Sequence, residues 1–177
     1  MALSTFEGPV KSLGGFYSQG PNTVINLPNG TNTVTLDVAT YAGRLIRTND
    51  ATLVITLPSI NTTASPSSAG PGTDPNTLNN VGTSYTFFIE TAATTLNIVT
   101  DGTDKFVGSL LLVATDAAGA TTGYAPAAAN DFIKLNGTTT GGIAGSWITC
   151  TVLAANKYYV TGVLLGSGTV ATPFADS

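Results

Sequence analysis

The chain has 177 residues, of which only 9% are charged, with a net charge of −4, no histidine and one cysteine. A typical chain carries ~25% charge, but 42% of this one is hydrophobic, so it is not a disordered chain. The same figures exclude Ser-His-Asp and Cys-His catalysis, a structural zinc site and an intrachain disulfide.

Threonine takes the place of the missing charge, with 31 Thr beside 20 Gly. A β-branched side chain suits a pleated strand and penalises a helix. The composition therefore predicts an all-β protein. Six basic residues against ten acidic, with no Lys/Arg cluster, argue against nucleic acid as a partner. The longest aliphatic run, Leu110–Ala114, is far short of the ~20 residues that span a bilayer. The first twenty residues lack a basic stretch followed by an apolar one, so no signal peptide is expected and synthesis is assigned to the cytoplasm.

In chain order, residues 1–32 read as an N-terminal arm. Leu3, Phe6, Val10, Leu13, Phe16 and Tyr17 are scattered among Gly and Pro, which interrupt both helix and strand. Such a segment either folds back on its own domain or extends to a neighbouring subunit. Val24–Leu27 is a candidate short strand within it. Residues 33–177 form the β-domain. Thr33–Val38 alternates apolar and polar residues. Gly43–Thr48 and Thr52–Leu57 flank the turn-prone pair Asn49-Asp50 and predict a hairpin that Pro58 ends.

Asn61–Gly82 is rich in Ser, Thr, Asn, Gly and Pro, with Leu78 and Val81 its only large aliphatics. Its length marks a surface excursion that makes contacts or moves. Strands are predicted again at Thr83–Glu90, Thr94–Thr100, Phe106–Ala114, Asp131–Leu135, Ser146–Leu153 and Tyr158–Leu165. Asp116–Asn130 reads as loop, with a possible helical turn at Ala127–Ala129. Asn156-Lys157 reads as the turn of a final hairpin. No tandem-repeat period is evident. Short strands with turn signals every ~8–12 residues predict a single antiparallel β-sandwich or jelly-roll-like barrel.

Few residues carry chemistry. Asp101 and Asp104 share a turn and have the ligand type for a hard cation such as Ca²⁺, although Asp also favours turns by bonding its own backbone. Trp147, Tyr158 and Tyr159 either stack on a sugar or fill the core. Cys150, between Ile148 and Val152, reads as a buried inert thiol. No catalytic site, cofactor site or metal site is expected, and the chain is not read as an enzyme.

Several segments resemble the small β-rich head decoration (cement) proteins of tailed bacteriophages. They are the opening STFEGPVKSLGGFY, the strand closing on TLP, SYTFFIETAATTLNIVTDGTDKFVGSLL at Ser84–Leu112, and GSWITCTVLAANKYYVTGVLLGSGTVATPF at Gly145–Phe174. Asn61–Gly82 and Asp116–Gly142 depart from that pattern. The resemblance implies a structural protein on the outer surface of the virion capsid. It would bridge neighbouring major capsid proteins, as a homotrimer. Contact residues are expected in the arm (Leu3, Phe6, Val10, Leu13, Phe16, Tyr17) and the long loop (Leu78, Val81). A phage tail or fibre part, or a glycan-binding β-module, is the alternative.

Overall fold

A computed structural model describes residues 24–27, 33–63, 77–116 and 119–176. The expected all-β sandwich is what forms: two sheets pack face to face around one core. The sheets are mixed, however, and not antiparallel throughout. The correction begins with the hairpin predicted at Gly43–Thr48 and Thr52–Leu57.

Those two segments do not pair. Leu45–Thr48 (β3) lies in the larger sheet, parallel to both Val24–Leu27 (β1) and Ser84–Ile89 (β5). Thr52–Thr56 (β4) lies in the smaller sheet, parallel to Thr33–Thr35 (β2) and Thr95–Val99 (β6). The Asn49-Asp50 turn is a corner that carries the chain across the sandwich, held by the Thr52 N–H donating to Asp50 Oδ1 at 3.0 Å. Alternation tells which side chains are buried. It does not tell whether the next strand lies in the same sheet or the opposite one.

From β1 to β6 the chain therefore winds alternately through the two sheets, one turn being a rung. Val24 lies beside Leu45 and Thr33 beside Val54, so the first rung spans 21 positions in both sheets, 24 to 45 and 33 to 54. The next is longer because the Asn61–Gly82 excursion is inserted into it. A one-turn helix, Val38–Tyr41 (α1), links β2 to β3 and is capped by Asp37, whose Oδ1 accepts the Thr40 N–H at 2.8 Å. That cap is the structural role of Asp37.

After β6 the pairing changes. Lys105–Gly108 (β7) and Leu110–Ala114 (β8) run parallel to one long strand, Lys157–Gly166 (β12). Trp147–Ala154 (β11) forms a hairpin with β12 and pairs antiparallel with β5. Thr121–Tyr124 (β9) edges the larger sheet beside β8, inside the stretch expected to be loop. At Ala127–Ala129 there is a turn, not a helix, closed by the Asn130 N–H on the Ala127 carbonyl. In the smaller sheet Phe132–Leu135 (β10) pairs with β6, and the short Phe174–Ala175 (β13) pairs with β10.

The core between the sheets is aliphatic and aromatic, with Ile46, Ile55, Tyr85, Phe87, Leu96, Ile98, Phe106, Ile148 and Tyr158 all almost wholly buried. β1 falls inside the 1–32 stretch, and its Leu27 is part of this core.

Candidate interaction surface

Strands with continuous apolar runs put large side chains on both faces, and only one face can look at the core. In β5, Phe87 points inward and Phe88 outward. In β8, Leu110 and Leu112 point inward and Leu111 outward, and in β12 Leu164 is inward and Val163 outward. The register lines up the outward set. Phe88 pairs with Trp147, Trp147 with Val163, and Val163 with Leu111, a row across four adjacent strands. Phe88, Trp147 and Leu111 are 36%, 40% and 41% exposed.

Beside this row Leu45, Thr86, Thr149 and Thr161 form a second one, with the hydroxyls of Thr86 and Thr149 in a hydrogen bond of 3.0 Å. A third holds Ser84, Thr151, Tyr159 and Val107. Charge enters at the corner, where Arg47, next to Phe88 in register, is ion-paired with Glu90. The opposite outer face of the sandwich differs. Thr33, Thr35, Thr52, Thr56, Thr95, Asn97 and Lys134 dominate it, and Lys134 lies 5.0 Å over the Phe132 ring. One outer face thus carries an apolar row framed by threonine, and the other is mostly threonine with Asn97 and Lys134, Val54 and Phe132 being its apolar members.

Of the residues expected to make contacts, Leu3, Phe6, Val10, Leu13, Phe16 and Tyr17 lie outside the described residues. Leu78 is half-buried and Val81 is exposed. Both belong to the return of the long loop, whose ends are fastened together. Asn61 and Asn80 exchange bonds, the Asn80 amide donates to the Ser59 carbonyl at 2.9 Å, and Asn79 donates to the Thr62 carbonyl. The loop then joins the sheet through the Gly82 N–H on the Val152 carbonyl, next to the exposed Leu153. Val81 and Leu153 are therefore exposed near the end of β11 opposite Trp147.

The outgoing root of the loop is anchored as firmly. Tyr158 donates its hydroxyl to the Pro58 carbonyl, and Asp104 accepts the Ile60 N–H at 3.0 Å. Burial raises the Asp104 carboxyl above its ordinary value, and the nearby Asp101 charge adds to this. Burial also opposes ionisation of Asp101, but N–H donors of Asp104 and Thr103 and the Ser59 side chain outweigh it and hold Asp101 low. Both carboxylates are thus engaged by the protein's own backbone, and among the described residues no group of three or more metal-type ligands forms.

The aromatic trio separates. Tyr158 is in the core, where burial raises its hydroxyl's pKa, while Trp147 and Tyr159 are on the outer face in different rows. Phe88, not a tyrosine, is the neighbour of Trp147. Cys150 is fully buried and its thiol is raised by that burial, as its flanking residues implied. Lys105 bridges to the buried Asp131 at 2.9 Å and also donates to the Gly102 carbonyl, tying β7 to the start of β10. No protein-family model, curated protein or solved structure matches this chain.

The outward members Phe88, Leu111 and Val163 were not singled out from sequence. Their signal was present in the doublets Phe87-Phe88, Leu110-Leu111 and Val163-Leu164, since one of two adjacent strand residues must leave the core.

Proposed function

We propose that this protein decorates and cements an assembled tailed-phage head, seating the outer face of its larger sheet on neighbouring major capsid proteins. The observation that carries the reading is the exposed Phe88–Trp147–Val163–Leu111 row. Contiguous apolar surface on a sheet marks an interaction site, and exposed aromatics at its centre are typical binding anchors. The scarcity of charge supports the same role, because a threonine-framed face is buried without stranding ions. The resemblance in Ser84–Leu112 and Gly145–Phe174 supplies the class of partner; these segments contain β5, β11 and β12, which bear the row. The role is structural, on the outer capsid surface, with the protein as a homotrimer. Many copies on one shell add modest interfaces into a large effect through avidity.

Quantifying the protein in purified virions tests the reading. Hundreds of copies per particle agree with cement, and a handful contradicts it in favour of a tail or fibre part. A glycan-binding role is the second reading, favoured by one observation: the Phe88–Trp147 pair lies next to the exposed Arg47–Glu90 ion pair, a stacking surface beside hydroxyl-binding groups. A glycan array without signal above background removes it.

A further inference from the structure

Two of the chain's six basic residues meet at one end of the larger sheet. Lys105 opens β7 and Lys157 opens β12, and the parallel register makes them direct partners on the same face. Neighbouring strands stand about 4.8 Å apart, and like charges directly opposite each other destabilise a sheet. Only one of the two is balanced. Lys105 is ion-paired with the buried Asp131 and donates to the Gly102 carbonyl, which engages two of its three N–H donors. Lys157 is exposed and forms no ion pair among the described residues.

Beside this pair is a cavity of about 350 Å³, lined by both lysines, Asn156, Val107, Gly108 and residues 126–128. Its origin is in the strand pairing. The β8–β9 ladder runs from Val113 and Thr121 to Leu110 and Tyr124, and carried on it would set Pro126 against Gly108. Pro126 has no N–H to give. The chain stands off instead in a turn, where the Ala127 N–H donates to the Asn130 side chain at 2.7 Å. Contact with β7 resumes where the Phe106 N–H donates to the Asn130 carbonyl at 2.9 Å. What faces the gap is small: Ala127, Ala128 and Gly108, where an added Cβ would lie 2.3 Å from the Val160 carbonyl oxygen.

We propose that this cavity binds a carboxylate carried on a small apolar group, as in a free aliphatic acid or the C-terminal residue of a polypeptide. The Lys157 ammonium, the Asn156 amide and the remaining Lys105 N–H supply donors for the carboxylate. Val107, Pro126, Ala127 and Ala128 supply the wall for the apolar group. An apolar cavity of this volume with a few convergent polar groups is the usual form of a small-ligand site. An anion seated there also relieves the facing of two lysines. No acidic residue is among the described residues that line it, and Asp131 is 1% exposed. The site is separate from the Phe88–Trp147–Val163–Leu111 row, and the proposal does not depend on the shell-binding reading.

Titration of the full chain, followed by its amide chemical shifts, tests this with hexanoate and with an acetylated Ala-Leu dipeptide bearing a free C-terminus. Hexanamide and the amidated dipeptide are the uncharged controls. A carboxylate is expected to shift the Gly108, Ala127 and Ala128 amides saturably, and its matching amide to leave them in place. K157Q should weaken binding about tenfold, the scale of one charge-assisted hydrogen bond. Tighter binding of the dipeptide assigns the site to a polypeptide end, and tighter binding of hexanoate to a free acid. No saturable shift with either carboxylate, equal shifts with the amides, or unchanged affinity in K157Q would each overturn the proposal. A128L, which fills the cavity from an exposed position and spares both lysines, is a second variant expected to lose binding.

Discussion

Trp147 and Phe88 stand directly opposite each other across the β5–β11 ladder, on the face of the larger sheet turned away from the core. The pairing is forced by what lies behind it. Ile148 and Phe87, one position along, are also paired and fully buried, so their neighbours must face out. The buried pair thus dictates an exposed aromatic pair on the outer face.

That pair is partly exposed, so replacing it should cost less than opening the core behind it. W147S is expected to cost about 1 kcal/mol, the scale of a cross-strand aromatic pair. I148A in the adjacent buried position should cost about 2–5 kcal/mol through loss of burial and the cavity left behind. Urea denaturation of the two variants checks the contrast.

Tyr158 couples the core to the long loop through its hydroxyl on the Pro58 carbonyl. Y158F keeps the ring and leaves that carbonyl without its donor. A loss of about 1–3 kcal/mol is expected, with faster amide exchange at Ile60, measured by hydrogen exchange. Unchanged exchange there would mean that the root is held by Asp104 and Asn80 alone.

Asn80 is 2% exposed and serves two backbone groups, the Ser59 carbonyl and the Asn61 N–H. N80A should cost about 2 kcal/mol or more, since both lose partners at a buried root. Thermal unfolding of the variant checks the loss.

Asp101 and Asp104 should titrate with opposite effects on stability. Asp101 is held below its usual 3.8, so its contribution is present above that value and is lost as pH falls through the folded one. Asp104 is raised, so it favours the folded state in acid, and this is lost as pH rises through the shifted value. On acidification wild type should therefore lose its advantage over D101N and gain relative to D104N. Melting temperatures followed from neutral pH into the carboxylate range read both trends.

The strands were largely legible in the sequence, because Leu53, Ile55 and Leu57 or Tyr85, Phe87 and Ile89 repeat with the period of a pleat. Their partners were not. β3 and β4 look like a hairpin to any pattern reader, since both have apolar inner faces and a turn-prone link. They separate because each finds a parallel neighbour in its own sheet. The rung spacing was hidden for a related reason: insertion of the long loop breaks the 21-position period after one turn. β9 escaped notice because Thr121–Tyr124 is a polar edge strand with a glycine in it. Among the aromatics, the adjacency of Tyr158 and Tyr159 already required opposite faces, which excluded a platform containing both.

The central claim is that the outer face of the larger sheet docks on an assembled shell. Co-sedimentation of purified protein with expanded, undecorated phage heads tests it most directly, comparing wild type with W147E/L111E. The substitutions place one carboxylate inside the apolar row and one at its end, and leave the core untouched. The account expects wild type to saturate the heads, and the folded double variant to lose binding by at least about tenfold, a 1.4 kcal/mol effect. Undiminished binding by W147E/L111E would contradict it.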